Sequence, residues 1–310
     1  MIKKSDKIYI AGHRGMVGSA CWRALEDEGY TNIIGKTSKE LDLRDQKAVE
    51  AFIKDEQPTA IIGAAAKVGG ILANDTYPYE FLMDNMLIQN NLIRSAHEND
   101  VSKFIFLGSS CIYPKFAPQP LKERYLLTNS LEPTNEWYAI AKISGVKLIE
   151  ALRKEYHRDY VSLMPTNLYG SNDNFDLKSS HVLPAMIRKF HEAKLNDNAP
   201  VELWGTGSPK REFLYVDDLA QAVLLALENA LEEHIYNVGT GIDLPILELA
   251  ELIQSIVGHV GEIRWDKSKP DGTPRKLMDS SKFQRNGWFP RVSLEEGIKQ
   301  AYLSYQNEVV

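Results

Sequence analysis

Residues 7–18 read Lys7-Ile8-Tyr9-Ile10-Ala11-Gly12-His13-Arg14-Gly15-Met16-Val17-Gly18, and this stretch decides the fold. Ile8 to Ala11 is an apolar run of strand length, and the glycines after it are spaced GxxGxxG. From Met16 to Gly29 the apolar residues Val17, Cys21 and Leu25 recur every four positions, the spacing of one helix face. Strand, glycine turn and helix in that order form the context in which a glycine motif binds a dinucleotide. Glycines let the backbone approach a pyrophosphate, and the helix amino terminus offers N–H groups and a partial positive charge. Gly12, His13, Arg14, Gly15, Met16, Val17 and Gly18 are the first candidate cofactor-binding residues.

Outward from this stretch the alternation continues. Asn32 to Gly35 reads as a second strand. A chain that binds NAD usually ends that strand on an acid, which holds the ribose 2′-hydroxyl. Here the positions are Lys36, Thr37, Ser38 and Lys39, and Arg14 lies inside the glycine loop. Cations and hydroxyls suit a 2′-phosphate, so the pattern predicts NADP(H), with Lys36 as a contact. Leu41 to Asp45 caps a helix running to Asp55, Ala60 to Ala66 is a third strand, and Lys67 to Gly70 is loop. A long amphipathic helix spans Tyr79–Glu98, a strand Phe104–Leu107, a helix Trp137–Tyr156 and a strand Val161–Pro165, with a turn at Thr166–Gly170. Such alternation predicts an α/β fold, a Rossmann-like doubly wound parallel sheet, over residues 1–170.

After Gly170 the pattern loosens. Ser171–Ser180 is a polar loop, His181–Leu195 a helix, and Val201–Trp204 a strand entering the turn Gly205-Thr206-Gly207. Arg211 to Asp218 leads into an apolar helix, Leu219–Leu231, and Ile235–Val238 can rejoin the main sheet. From Ile246 onward the reading is one helix, a strand near Ile263 and the loop Lys267–Lys276. Residues 171–310 are thus expected to form mainly a smaller C-terminal α/β substrate-binding domain.

The chemistry is written in Gly108-Ser109-Ser110-Cys111-Ile112-Tyr113-Pro114, read with Tyr138 and Lys142. Ligands of open α/β sheets bind at the carboxyl ends of strands, where the first of these stretches lies. Tyr138 and Lys142 are four apart on a helix and face one spot. An ammonium beside a phenol favours the phenolate and brings its pKa down from about 10. The phenol then serves as a proton donor to a developing alkoxide, and Ser109 can share the same carbonyl oxygen. This is a constellation for reducing or oxidising a carbon–oxygen bond.

Composition narrows the classes. The 310 residues carry a formal charge of -6, and 44% are apolar, enough for a sizeable core. A mildly acidic chain without a long basic run is a poor nucleic-acid ligand. Two cysteines, Cys21 and Cys111, build no disulfide framework and point to a reducing compartment. The short run Ile8–Ala11 is too brief for a signal sequence, and no apolar run approaches membrane-spanning length. The expectation is a soluble cytoplasmic protein. With no CxxC and no histidine pair at helical spacing, no metal site is expected.

The stretches AGHRGMVGSA (11–20), GSSCIYP (108–114), EPTNEWYAIAKISG (132–145), MPTNLYG (164–170), SHVLPA (180–185), REFLYVDDLA (211–220) and SKPDGTPRKL (268–277) carry a resemblance. Together, from about Ile8 to Trp288, the chain resembles the extended short-chain dehydrogenases/reductases, in the branch that acts on nucleotide sugars. Within that branch it looks like the enzymes that epimerise C3 and C5 of GDP-4-keto-6-deoxy-D-mannose and then reduce the C4 ketone with NADPH. The resemblance implies Tyr138 as proton donor to the C4 oxygen, Lys142 on the nicotinamide ribose and Ser109 on the ketone. It makes Cys111 and His181 the acid–base pair of the epimerisation. Further cofactor contacts would be Leu107, Gly108, Ser109, Ser110, Lys142, Pro165, Thr166, Asn167, Leu168 and His181. Lys189, Trp204, Arg211 and Asp271 would meet the GDP part. One departure is Ser38, where some relatives offer a second arginine to the 2′-phosphate. Family members also commonly pair through the two long helices, which implies a homodimer.

The chemistry is consistent with these roles. Carbons beside a ketone are acidic, so the C4 carbonyl also enables exchange at C3 and C5. Inverting a centre needs one group to remove a proton and another to return it from the opposite face. Donors that hold a ketone also stabilise an enolate oxygen, so one oxyanion site serves all three steps. The rival readings are a sibling 4-epimerase or 4,6-dehydratase with bound NAD, and a dinucleotide sensor without chemistry. Arg14, Lys36 and Cys111 argue against the first, and the intact Ser109, Tyr138 and Lys142 against the second.

Overall fold

The computed structural model describes residues 2–309 apart from 178 and 270. Those two positions fall in the expected loops Ser171–Ser180 and Lys267–Lys276 and lie outside the described residues.

The first part of the chain is β1 (Ile8–Ala11), α1 (Met16–Asp27), β2 (Ile33–Ile34), α2 (Gln46–Glu56), β3 (Ala60–Gly63), α3 (Ile71–Thr76) and α4 (Pro78–Glu98). Next come β4 (Lys103–Leu107), α5 (Glu136–Tyr156), β5 (Asp159–Pro165) and β6 (Asn167–Tyr169). The remainder is α6 (Val182–Leu195), β7 (Val201–Trp204), β8 (Lys210–Tyr215), α7 (Val216–Glu228), β9 (Ile235–Val238), β10 (Asp243–Pro245) and α8 (Ile246–Val257). It closes with β11 (Ile263–Asp266), β12 (Arg275–Lys276), α9 (Ser281–Gln284) and α10 (Leu294–Val309).

Six strands form the main sheet in the order β2-β1-β3-β4-β5-β9, and every pair is parallel. β1, β3 and β4 are buried throughout, which is why they read as unbroken apolar runs. Alternate residues divide between the faces. Ile8, Ile10, Ile105, Val161 and Leu163 pack with α1 and α7, whereas Tyr9, Phe104, Phe106, Tyr160 and Met164 pack with residues of α2, α4 and α5. Helices on both faces make the sheet doubly wound, as expected. The strand order reverses between β1 and β3, and the crevice there is where such sheets take ligands. At the opposite end of β4 the buried Lys103 donates to Asp159 Oδ2 and to the Asn229 carbonyl, both at 2.7 Å.

The strand at 235–238 does complete the main sheet. Elsewhere the later chain departs from the sequence reading. The expected turn at Thr166–Gly170 contains β6, which pairs in parallel with β8, because Thr166 Oγ1 and Asn167 Nδ2 both donate to the Glu212 carbonyl and draw the segment straight (3.2 and 2.8 Å). β8 also carries β10 and β12, while β7 pairs with β11. The expected Leu219–Leu231 helix begins at Val216, whose first turn holds Asp217 and Asp218. The loop ending at Lys276 finishes as strand β12, and beyond α8, the one helix expected from Ile246 onward, lie α9 and α10, which the sequence reading did not anticipate. A third apolar cluster, with Phe190, Leu203, Phe213, Ile253, Ile298 and Tyr302, joins α6, β7, β8, α8 and α10.

Candidate active site

The glycine loop sits at the β1/β3 crevice. Gly12 has φ +82°, and the Gly15 N–H donates to its carbonyl at 3.0 Å, turning the chain into α1. Gly15 is the cap of α1 and no side chain bonds to that helix end, so its first N–H groups face outward for an anion. A Cβ on Gly12 would lie 2.9 Å from the Ala65 backbone, and one on Gly18 would lie 2.1 Å from the Gly12 carbonyl oxygen. Met16 and Val17 start the helix between them.

A Cβ on Gly35 would come within 2.4 Å of the His13 ring, so the end of β2 packs on the loop and brings Lys36 toward Arg14. The His13 Nδ1 is buried without a partner, and burial together with Arg14 lowers the ring's pKa. Glu40, held by the Thr37 N–H and hydroxyl at 2.8 and 2.6 Å, lies in the electrostatic field of Arg14 and Lys36. An open helix end, glycines at 12 and 18 where no side chain fits, and the cations Arg14 in the loop and Lys36 beyond β2 together suit a dinucleotide bearing a ribose phosphate.

At the end of β4, Leu107 and Gly108 pass into a single 3-10 turn, Ser110–Ile112. Ser109 caps it, its Oγ accepting from the Cys111 N–H at 3.3 Å. The cap turns Ser110 and Cys111 inward, and both are buried. Tyr138 lies in the first turn of α5, edge-on to Phe81, and Lys142 follows one turn later. Lys142 donates to the Leu107 carbonyl at 2.8 Å, and its Nζ stands 5.7 Å from the centre of the Tyr138 ring.

This geometry corrects one expectation. Burial, with a smaller contribution from Cys111, raises the Tyr138 phenol well above its ordinary 10, whereas the sequence predicted a depression by Lys142. Lys142 is itself enclosed, its amine turned to a main-chain carbonyl, and burial pushes it down to about 8. In this state the low-dielectric surroundings favour the neutral forms of both groups. Burial also raises the Cys111 thiol, opposed by Lys276 first and by Ser109 and Lys142 after it.

His181 caps α6 in extended backbone with an exposed side chain. Desolvation, and the Lys276 ammonium, lower its pKa. The preceding segment is tied to the loop after β3, the Gly70 N–H donating to the Ser179 carbonyl at 3.0 Å. Pro165, Thr166, Asn167 and Leu168 occupy the β5–β6 junction beside β8.

Of the four expected substrate residues, Trp204 and Arg211 lie on strands of the smaller sheets, Lys189 on α6 and Asp271 in the loop before β12. Lys189 of α6 donates to the Glu202 carbonyl of β7 at 2.8 Å, and Trp204 ends that strand 53% exposed, with Lys269 Nζ 5.5 Å from its ring centre. Asp271 accepts from the Thr206 N–H and hydroxyl at 2.7 and 2.9 Å, which fixes the turn just after Trp204. Arg211 on β8 feels Asp271 and Glu132, and burial lowers its pKa.

Four residues escaped the sequence reading. Glu132, Asn135 and Lys276 line a small cavity with Cys111. Lys276 sits in the stretch SKPDGTPRKL, but a two-residue strand gives no periodicity that would have picked it out. The fourth omission is Glu212, wholly buried beside Arg211. Its carboxylate accepts from the Gly241 and Met278 N–H groups at 2.7 and 2.8 Å, so it ties the β9–β10 turn and the segment after β12 to β8.

Known proteins resemble this chain along its length. Residues 8–239 match the model of the NAD dependent epimerase/dehydratase family. The chain is 57% identical to GDP-L-fucose synthase 1 of Arabidopsis thaliana, over 100% of this chain and 96% of the relative. It is 52% identical to the GDP-L-fucose synthase of Escherichia coli K12, over 96% and 95%. A solved GDP-mannoheptose C4 reductase from Campylobacter jejuni with NADP bound matches with a TM-score of 0.90 at 37% identity, covering 99% of this chain and 100% of that one.

Proposed function

The chain belongs to the NAD dependent epimerase/dehydratase family, and we propose that within it this protein is an NADPH-dependent epimerase-reductase making GDP-L-fucose from GDP-4-keto-6-deoxy-D-mannose. The observation that carries this reading is a single strand end. Ser109, the cap of the turn after β4, and Cys111, inside that turn, stand beside the Tyr138/Lys142 pair of α5.

The glycine loop, Lys36, Gly108 and the β5–β6 junction hold the cofactor, and NADPH when bound supplies the hydride. Ser109 orients the C4 ketone. The enclosed Tyr138 phenol stays protonated at neutral pH, the form that donates to the C4 oxygen as it gains charge. The phenolate left behind lies within reach of Lys142, which then favours it. Cys111 and His181 remove and return the protons at C3 and C5. Lys189 and Arg211 meet the diphosphate and Trp204 offers its exposed face to the base, while Asp271 holds the turn beside them.

In this reading residues 1–170 with β9 carry the cofactor and residues 171–310 mainly the substrate. Tyr79, Met83 and Leu87 on α4, with Trp137 and Ile140 on α5, are exposed, and the first three recur every four residues on one helix face. They support a homodimer built on these two helices, which a light-scattering mass near that of one chain would exclude. No helix among the described residues is long and apolar enough to cross a membrane. With two free, buried cysteines this supports a cytoplasmic setting.

The test is to mix the protein, NADPH and GDP-4-keto-6-deoxy-D-mannose, follow the absorbance of the reduced nicotinamide and identify the product by NMR. GDP-L-fucose is the expected product. Oxidation yielding an unepimerised 6-deoxy sugar would remove the roles of Cys111 and His181, and no oxidation would refute the reading.

A further inference from the structure

One charged side chain at the site takes no part in the steps above. Lys276, the second residue of β12, shares the wall of the small cavity with Cys111, Glu132 and Asn135. Its neighbour Arg275 pairs with Asp243 at 2.5 and 3.1 Å, but among the described residues the Lys276 side chain has no hydrogen-bond or ion-pair partner. Lys276 is half-buried, and desolvation of an ammonium without a partner lowers its pKa. In the same cavity the Asn135 Oδ1 is a buried acceptor with no donor. The cavity is therefore lined by polar groups that the protein itself leaves unsatisfied.

Lys276 is also held in place from several sides. β12 pairs in parallel with β8, setting Lys276 against Arg211. The Leu121 N–H donates to the Leu277 carbonyl at 2.7 Å, the Asp279 N–H to the Leu121 carbonyl at 2.8 Å, and the Met278 N–H to the Glu212 carboxylate at 2.8 Å. The charged and titratable groups that face it are Cys111 from the turn after β4, Arg211 from β8, Glu132 from the segment before α5 and His181 from the start of α6. Cys111 is faced in addition by Lys142 and Tyr138 of α5.

We infer that Lys276 is a positioning residue for proton exchange, placed beside Cys111 to favour the thiolate form that removes a proton from the carbon beside the ketone. The inference rests on the acid–base role of Cys111 proposed above. In the step, the carbon–hydrogen bond breaks, its electron pair passes into the enolate, and the proton forms the S–H bond of Cys111. The proton returned to the opposite face comes from His181, whose N–H bond breaks as the enolate's electron pair forms the new carbon–hydrogen bond, and exchange with solvent then restores both groups. Lys276 keeps its own protons throughout and acts by charge alone. Burial drives the thiol toward its neutral form, and Lys276 is the foremost charge opposing it.

The test reads the thiol directly. Alkylation of Cys111 by iodoacetamide is followed against pH by peptide mass spectrometry in wild type and Lys276→Met, with Cys21, buried in α1, as internal reference. The expected result is a midpoint displaced upward by about one pH unit and a roughly tenfold slower reaction at neutral pH, since the thiolate is the nucleophile. Lys276→Arg keeps the charge and should keep the wild-type profile, which covers the case in which Lys276→Met does not fold. Solvent deuterium entry at C3 and C5 should fall in parallel in Lys276→Met, while the Kd for NADPH stays unchanged. Coincident alkylation profiles would overturn the inference, as would a defect confined to KM or an Arg variant that titrates like Met. If the profiles separate but wild type does not turn over the keto sugar, the functional reading fails while the Lys276–Cys111 pairing stands.

Discussion

Replacing Gly18 by alanine tests whether the glycine loop is the cofactor site. The added methyl would stand 2.1 Å from the Gly12 carbonyl oxygen, 2.7 Å from its carbon and 2.8 Å from the His13 Cα. All three are backbone atoms, so no side chain can swing aside. An ordinary contact begins near 3.4 Å, and the loop must retreat to reach it. Its retreat is blocked on the far side, where Gly12 already lies against the Ala65 backbone. Overpacking of this kind costs about 1–3 kcal/mol. Because the displaced atoms are those expected to face the pyrophosphate, most of that cost falls on the bound state. The expected outcome is an NADPH Kd weakened by roughly 10- to 100-fold, measured by titration calorimetry, with a lowered Tm. Gly15→Ala is the comparison: its methyl meets the Gly12 oxygen at an ordinary 3.5 Å, so its Tm should not change. NADPH binding by Gly18→Ala within twofold of wild type, at unchanged Tm, would refute the assignment of this loop.

Tyr138→Phe removes the proton donor and should abolish NADPH oxidation while solvent deuterium still enters C3 and C5, whereas Cys111→Ser should do the reverse; loss of the same step in both would refute the division of labour. Burial lowers Lys142 to about 8 from 10.5, so between those values the unfolded chain holds a proton that the folded chain has released, and folding gains as pH rises. The stability of wild type relative to Lys142→Met should therefore climb by roughly 3 kcal/mol from pH 8 to 10.5, read by denaturant melts, and a flat difference would count against it. Glu212→Gln sets an amide where a carboxylate accepts from the Gly241 and Met278 N–H groups, and should cost about 1–3 kcal/mol in a urea melt.

What the sequence disclosed depended on where the constraint lies. β1, β3 and β4 were legible because strands buried on both faces must be apolar without interruption, and the long helices because α4 and α5 each bury one face. β6 and β12 were not, since they are straightened by distant partners, the Glu212 carbonyl in one case and the register with β8 in the other. α10 went unread, because Leu294, Ile298, Ala301 and Tyr305 recur at helical spacing but lie far from any motif. At the site, Ser109, Cys111, Tyr138 and Lys142 stood out because their chemistry is local to two short segments. Lys276 and Glu132 matter through Cys111, a neighbour only in three dimensions. The direction of the Tyr138 shift was misjudged for the same reason: spacing gives the neighbour, and only packing gives the desolvation.

The sixth strand has a consequence for how the protein is made. β9 covers the outer edge of β5, pairing Ser162 with Ile235 through Pro165 with Val238, yet it is synthesised roughly seventy residues later. At about 5–20 residues per second the ribosome needs some seconds to close that gap. Meanwhile β5 is an apolar edge with unpaired N–H and C=O groups, and α7, which belongs over the same face, is also unmade. A nascent chain paused near Gly170 thus carries five of the six strands with one apolar edge open. The same logic governs dissection: a fragment ending at Gly170 should aggregate, and one carried through Val238 seals its edge.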